Sequence, residues 1–119
     1  MNKEATLQTK IVAFLSAHAL ENDFYFFSVP NEGALTAAAG QKIFGVMTNL
    51  KKMGLTPGVF DLLIVKGGQV YHLEVKDKDK TLSAKQIIFN RRAQACGGIT
   101  AMVDDYIQAV KLLNEWGIV

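Results

Sequence analysis

The sequence predicts an α/β fold in which a central sheet is covered by helices on both faces. Three observations carry this. Element signals run in the order α-β-α-β-β-α-β-α. The predicted strands hold apolar residues at both parities, as burial on two faces requires. And 119 residues, half apolar and a fifth charged, suffice for one compact domain with a modest core. One domain over residues 1–119 is therefore expected, without repeats or a low-complexity linker.

The first helix is predicted over Thr6 to Leu20, where Leu7, Ile11, Phe14, Leu15 and His18 form one stripe, ending before Glu21-Asn22-Asp23. Glu4 lies on the line Glu4–Gln8–Ile11–Leu15, along the edge of that stripe. FYFFSV, Phe24 to Val29, is aromatic and β-branched and reads as a strand. PNEG, Pro30 to Gly33, is a connector, and ALTAAAG after it is weakly patterned. Gln41 to Met53 carries Ile43, Val46, Met47 and Leu50 at helical spacing, with Gly54 as a stop. After a turn at Pro57-Gly58, two apolar runs flank Gly67-Gly68. Ser83 to Ala95 is a helix whose Ser83 and Gln86 match a capping box, closed by Gly97-Gly98. ITAMV, Ile99 to Val103, is a short strand, and Asp104 is the expected cap of a last helix carrying Ile107, Val110, Leu112, Leu113 and Trp116.

Composition excludes several classes. No apolar stretch reaches the roughly 18–20 residues a membrane span needs, so no membrane partner is expected. MNKEATLQTK lacks the apolar core of a signal peptide, which points to an intracellular location. The single Cys96 can form no internal disulfide and no Cys-based zinc site, and is expected to be a small buried residue.

The hairpin holds the anomaly. Its apolar runs carry Asp61, Glu74 and Lys76. Side chains alternate along a strand, so Val70, His72, Glu74 and Lys76 share one face, and Tyr71, Leu73 and Val75 the other. Gly67-Gly68 suits a two-residue turn needing positive φ. That turn sets Val65 opposite Val70, Leu63 opposite His72, and Asp61 opposite Glu74. A three-residue loop would slip the register and turn the faces over. Directly opposed residues have Cβ atoms roughly 4.5–5.5 Å apart, and two like charges there destabilise the pair. Either one carboxyl is protonated, or a cation sits between them. Lys76 lies on the same face but two residues along, so a divalent metal resolves the conflict better; oxygen ligands with water suit Mg²⁺ or Mn²⁺. The plainer reading is a charged rim in which Lys76 pairs with a carboxylate.

Net charge is only +2, but its distribution is uneven. From Lys76 to Arg92, the residues Lys76, Lys78, Lys80, Lys85, Arg91 and Arg92 stand against Asp77 and Asp79, which leaves the rest of the chain net acidic. Basic charge beside carboxylates can bring phosphate to an acidic site; a solvent-facing loop and helix face is the plainer alternative.

Asp61, Glu74, Val75 and Lys76 resemble the motif of the PD-(D/E)xK nuclease superfamily. A more specific resemblance, covering most of the chain outside Ala34–Gly40, is to its VRR-NUC family. The matching pieces are PNEG at Pro30–Gly33, LKKMGLTPGVFDLLIV at Leu50–Val65, HLEVK at His72–Lys76 and LSAKQ at Leu82–Gln86. Phe60 departs from the pattern, standing where the family often has Pro before the Asp.

The resemblance implies a restriction endonuclease-like core with a mixed sheet. It implies one or two Mg²⁺ or Mn²⁺ ions held by Asp61, Glu74 and the carbonyl of Val75, with Glu4 facing the same site and Glu32 ranked below it. Asp61, Glu74, Lys76 and Gln86 are the implied catalytic residues, and Lys78, Lys80, Lys85, Arg91 and Arg92 the expected phosphate contacts. His72, on the same face, is a possible base, although packing against Leu63 is the plainer role. The expected activity is metal-dependent hydrolysis of DNA phosphodiesters, with stand-alone members implying a homodimer acting on four-way junctions in the cytoplasm of a bacterial or phage-infected cell. Two other classes compete: a non-catalytic nucleic-acid-binding module with structural carboxylates, and a metal-stabilised scaffold that binds protein.

Overall fold

The computed structural model describes residues 2–30 and 43–119. Eight elements follow in chain order: helix α1 (Lys3–Asn22), strand β1 (Phe24–Ser28), helix α2 (Ile43–Lys52), strands β2 (Leu62–Lys66) and β3 (Gln69–Val75), helix α3 (Ala84–Ala95), strand β4 (Ile99–Val103) and helix α4 (Tyr106–Glu115). This is the predicted order. Glu32, most of PNEG, ALTAAAG and Gln41 lie outside the described residues.

The strands form one mixed sheet in the order β1-β2-β3-β4. β1 and β2 are antiparallel, as are β2 and β3, while β3 and β4, joined through α3, are parallel. Gly67 and Gly68 have φ of 57° and 78°, the positive pair that a two-residue hairpin turn requires. The register follows: Val65 faces Val70 and Leu63 faces His72, as predicted.

One face of the sheet forms the core. Phe24, Leu62, Ile64, Tyr71, Leu73, Val75 and Val103 pack on Ile11 and Leu15 of α1 and on Ala109 and Leu113 of α4. The other face is covered by α3 around Phe89, whose ring meets Phe60 at 5.4 Å and His72 edge-on at 5.1 Å. Coverage there is partial: on β1, Tyr25 and Phe27 are 59% and 49% exposed. Both-face burial therefore holds for the hairpin but not for the edge strand.

Several boundaries differ from expectation for identifiable reasons. α1 begins earlier because the Asn2 side chain accepts from the Ala5 N–H at 2.8 Å. It runs past Leu20 to Asn22 and ends when Asp23 turns left-handed at φ 55°. The cap of α4 is Asp105, not Asp104; its carboxylate accepts from the Gln108 N–H, three residues on, at 3.1 Å. Cys96 is exposed as the C-cap of α3 rather than buried.

Lys66, at the turn end of β2, ties down the chain's last residues: its Nζ donates to the carbonyls of Gly117 at 2.8 Å and Ile118 at 3.0 Å. Ile118 is fully buried in the core. Hydrogen bonds from a charged donor each contribute about 1.5–3 kcal/mol when buried and less at a surface. Lys66→Met should cost about 1–2 kcal/mol, read as a lower urea midpoint with an unchanged slope. An unchanged midpoint would mean that core packing alone holds the C-terminal segment.

Candidate active site at the mouth of the hairpin

The β2–β3 ladder stops at Leu62 and Leu73. Asp61 and Glu74, the next pair, replace ladder bonds with side-chain bonds. The Asp61 N–H donates to Glu74 Oε1 at 3.1 Å, and the Val75 N–H donates to Asp61 Oδ2 at 2.9 Å. Each carboxylate thus holds the backbone of the opposite strand. The Asp61 carbonyl accepts from the Val29 N–H at 2.9 Å, so β1 also braces this corner.

Three further groups converge. Gln86 Nε2 donates to Glu74 Oε2 at 2.6 Å, and Lys76 Nζ lies 3.4 Å from the same oxygen. Gln86 keeps its capping role: its Oε1 accepts from the Ser83 N–H at 3.0 Å while its own N–H donates to Ser83 Oγ at 3.2 Å. One side chain therefore caps α3 and grips Glu74. Glu4, in the first turn of α1, accepts from the Asp77 N–H at 3.1 Å, and its charge is felt at Asp61. In a strand a residue's N–H and C=O leave on the same side. The Val75 N–H goes to Asp61 while the neighbouring Lys76 N–H goes to Val103 of β4 at 2.9 Å, so the Val75 carbonyl also faces the Asp61 side.

Two backbone features set this corner. Gly58 has φ +83°, and a Cβ there would run into the backbone of Lys85 and lie 2.8 Å from the Gln86 nitrogen. The loop before β2 is thus pressed on the first turn of α3. Phe60, 2% exposed, packs against Phe89 with the two rings tilted at 55°.

The electrostatics are unfavourable as they stand. Glu74 is 4% exposed, and burial, followed by the nearby Asp61 charge, pushes its carboxyl up to about 7. Asp61 is also raised, chiefly by burial, although the Val75 N–H opposes the shift. Lys76 acts in the other direction at both carboxyls without cancelling the rise. A carboxyl whose folded pKa exceeds its unfolded one keeps a proton that the unfolded chain has released. Glu74 thus favours the fold fully below about pH 4.5, and this contribution is lost as pH rises through about 7. Metal-free protein should lose on the order of 2 kcal/mol across that window, read from urea midpoints at a series of pH values in EDTA. A flat or rising profile would contradict the crowding of the two carboxyls.

The donor set fits a hard divalent cation: two crowded carboxylates, a carbonyl turned to the same side, and no soft ligand. Among the described residues no three or more His, Cys, Asp and Glu side chains form a complete metal cluster. Two carboxylates with remaining positions for water and phosphate oxygen match the habits of Mg²⁺ and Mn²⁺.

Other sequence-predicted residues sit further out. His72 packs on Phe89 and lines a largely apolar cavity of about 400 Å³ under α3, with Pro57 and Ile88. Burial lowers its pKa. Arg92 borders the same cavity, and Arg91, Lys80 and Lys85 are exposed. Lys78 instead borders an open cleft of about 500 Å³ beside Lys76, whose far wall is α1. That wall brings in Lys3 and Lys10, which sequence reasoning did not single out. Their spacing of seven, two helical turns, was the available signal.

No family model and no curated protein matches the chain. A solved structure described as "VRR_NUC domain" does, with a TM-score of 0.65 and 19% identity over 98% of this chain and 99% of that one. Among the described residues no helix is long and apolar enough to cross a membrane. The mixed four-stranded sheet, its flanking helices and the extent of this likeness establish that the chain has the fold of a VRR-NUC domain.

Proposed function

We propose that the protein is a divalent-metal-dependent endodeoxyribonuclease whose site is the hairpin mouth. The observation that carries this is the crowding of Asp61 and Glu74 beside Lys76, 3.4 Å from Glu74. Asp61, Glu74 and the Val75 carbonyl would hold one or two Mg²⁺ or Mn²⁺ ions, with Glu4 completing the acidic side. The bound cation would polarise a phosphodiester oxygen and activate a water for attack.

The chain's own residues do the rest. Glu74, whose carboxyl is pushed up to about 7, would give up its proton on taking a cation. Gln86 fixes the Glu74 carboxylate in one orientation through its 2.6 Å bond. Lys76, anchored through its N–H to β4, supplies positive charge where negative charge develops on the phosphate. Lys78, Lys80, Lys85, Arg91 and Arg92 supply salt-dependent, largely sequence-independent phosphate contacts. A homodimer would set two such sites on a two-fold substrate such as a four-way junction, suited to paired incisions.

The test is cleavage of supercoiled plasmid and of a synthetic four-way junction in Mg²⁺ or Mn²⁺, with EDTA and Asp61→Ala as controls. Metal-dependent cleavage lost in the variant supports the reading. Binding without cleavage would assign the protein to non-catalytic DNA-binding modules. Sedimentation with and without junction DNA reads the dimer directly.

A further inference from the structure

We infer that the cleft between α1 and the β4–α4 joint is a subsite for one unpaired nucleotide next to the cleaved phosphate, with Tyr106 as its base platform; this rests on the nuclease reading above. The cleft adjoins the proposed site through Lys76, and its volume of about 500 Å³ suits one nucleotide-sized ligand rather than a duplex. Its charges are unevenly placed: Lys3 and Lys10 come from α1, Lys76 and Lys78 from the β3 exit with Asp77 between them, its Oδ1 accepting from the Lys78 N–H at 2.9 Å, while Asp104 and Asp105 come from the β4–α4 joint. A phosphate is therefore drawn to the lysine side, and the base is turned toward the aspartates, which accept hydrogen bonds from exocyclic amines. Asp105 is partly committed, since its Oδ2 caps α4.

Tyr106 closes the same end. Its half-buried ring packs against the core, nearly perpendicular to Phe14 with centroids 6.3 Å apart, which fixes its plane at the cleft wall. A fixed aromatic beside a lysine track is the combination by which proteins hold single strands without reading sequence. The cleft thereby selects DNA with an unpaired or readily frayed nucleotide beside the cut.

The experiment measures binding of a short fluorescent single-stranded oligonucleotide in Ca²⁺, and kcat and KM for cleavage in Mg²⁺. The paired change Lys3→Ala with Lys10→Ala should raise Kd and KM about tenfold with kcat within about twofold, while Lys111→Ala, a distant surface control, changes either by less than about twofold. Tyr106→Leu should weaken binding about tenfold and Tyr106→Phe should restore it. An abasic position in the oligonucleotide should weaken the parent at least as much as Tyr106→Leu does, and should weaken that variant less than it weakens the parent. If the lysine pair behaves like Lys111→Ala, or the abasic probe binds the parent as well as the intact one, the subsite is wrong even where cleavage is present. If the parent binds as described but cuts nothing, the subsite stands and the nuclease reading falls.

Discussion

Asp61→Asn is expected to lower cleavage by at least about a thousandfold while making the metal-free protein more stable. The two effects have one origin. Asn can keep its oxygen on the Val75 N–H, which now bonds Asp61 Oδ2 at 2.9 Å, and turn its amide toward the Glu74 carboxylate. A repulsive pair becomes a donor and an acceptor, which should add about 1 kcal/mol at neutral pH, or roughly 4 °C in melting temperature. The carboxylate removed is one that the proposed cation would need. Lys76→Ala should cut cleavage about a hundred- to a thousandfold through lost charge stabilisation, with both carboxylates still present. Steady-state cleavage rates and thermal melts in EDTA check both variants. A structural charge pair gives the opposite sign, since removing a partner from it destabilises the fold.

Gly58→Ala is the largest expected loss of stability. The residue sits at φ +83°, where a side chain is strained, and its Cβ would meet the backbone of Lys85 and Gln86 rather than a flexible side chain. Either the loop or the first turn of α3 must move. Left-handed strain of about 1–2 kcal/mol adds to overpacking of about 1–3 kcal/mol, so a loss near 3 kcal/mol is expected. Gly54 supplies the comparison, with φ +110° and nothing within 4 Å of the added carbon. Gly54→Ala should cost only the strain. Urea midpoints of the two variants separate the contributions, and equal losses would mean that contact with α3 carries no energy. Because Gln86 travels with that turn, cleavage by Gly58→Ala should fall further than its folded fraction.

Much of this corner was legible because local chemistry determined it. Positive φ at Gly67 and Gly68 sets the hairpin register, and that register brings Asp61 to Glu74. Ser83 and Gln86 read as a capping box and form one. What the pattern did not reveal came from tertiary contacts or from choices between adjacent residues. Asp104 and Asp105 are equivalent to a cap rule, and only the position of Gln108 decides between them. The second role of Gln86, implied by the family resemblance but not by the local pattern, depends on Gly58 letting α3 approach the hairpin. The end of the ladder at Leu62 and Leu73 was hidden too, because Asp61 and Glu74 substitute carboxylate oxygens for backbone partners. The lysines of α1 line the same cleft as Lys76, a proximity that a scan for clustered charge does not detect.

The central claim is that the hairpin mouth is built to hold a divalent cation. Thermal melts of the parent and of Asp61→Asn, each in EDTA and in a Mn²⁺ series, test it most directly. The parent should gain several degrees as Mn²⁺ rises, following the logarithmic dependence of a ligand that binds the folded state, and Asp61→Asn should start higher and gain nothing. Equal shifts in both proteins, or no shift in the parent at millimolar Mn²⁺, would contradict the account.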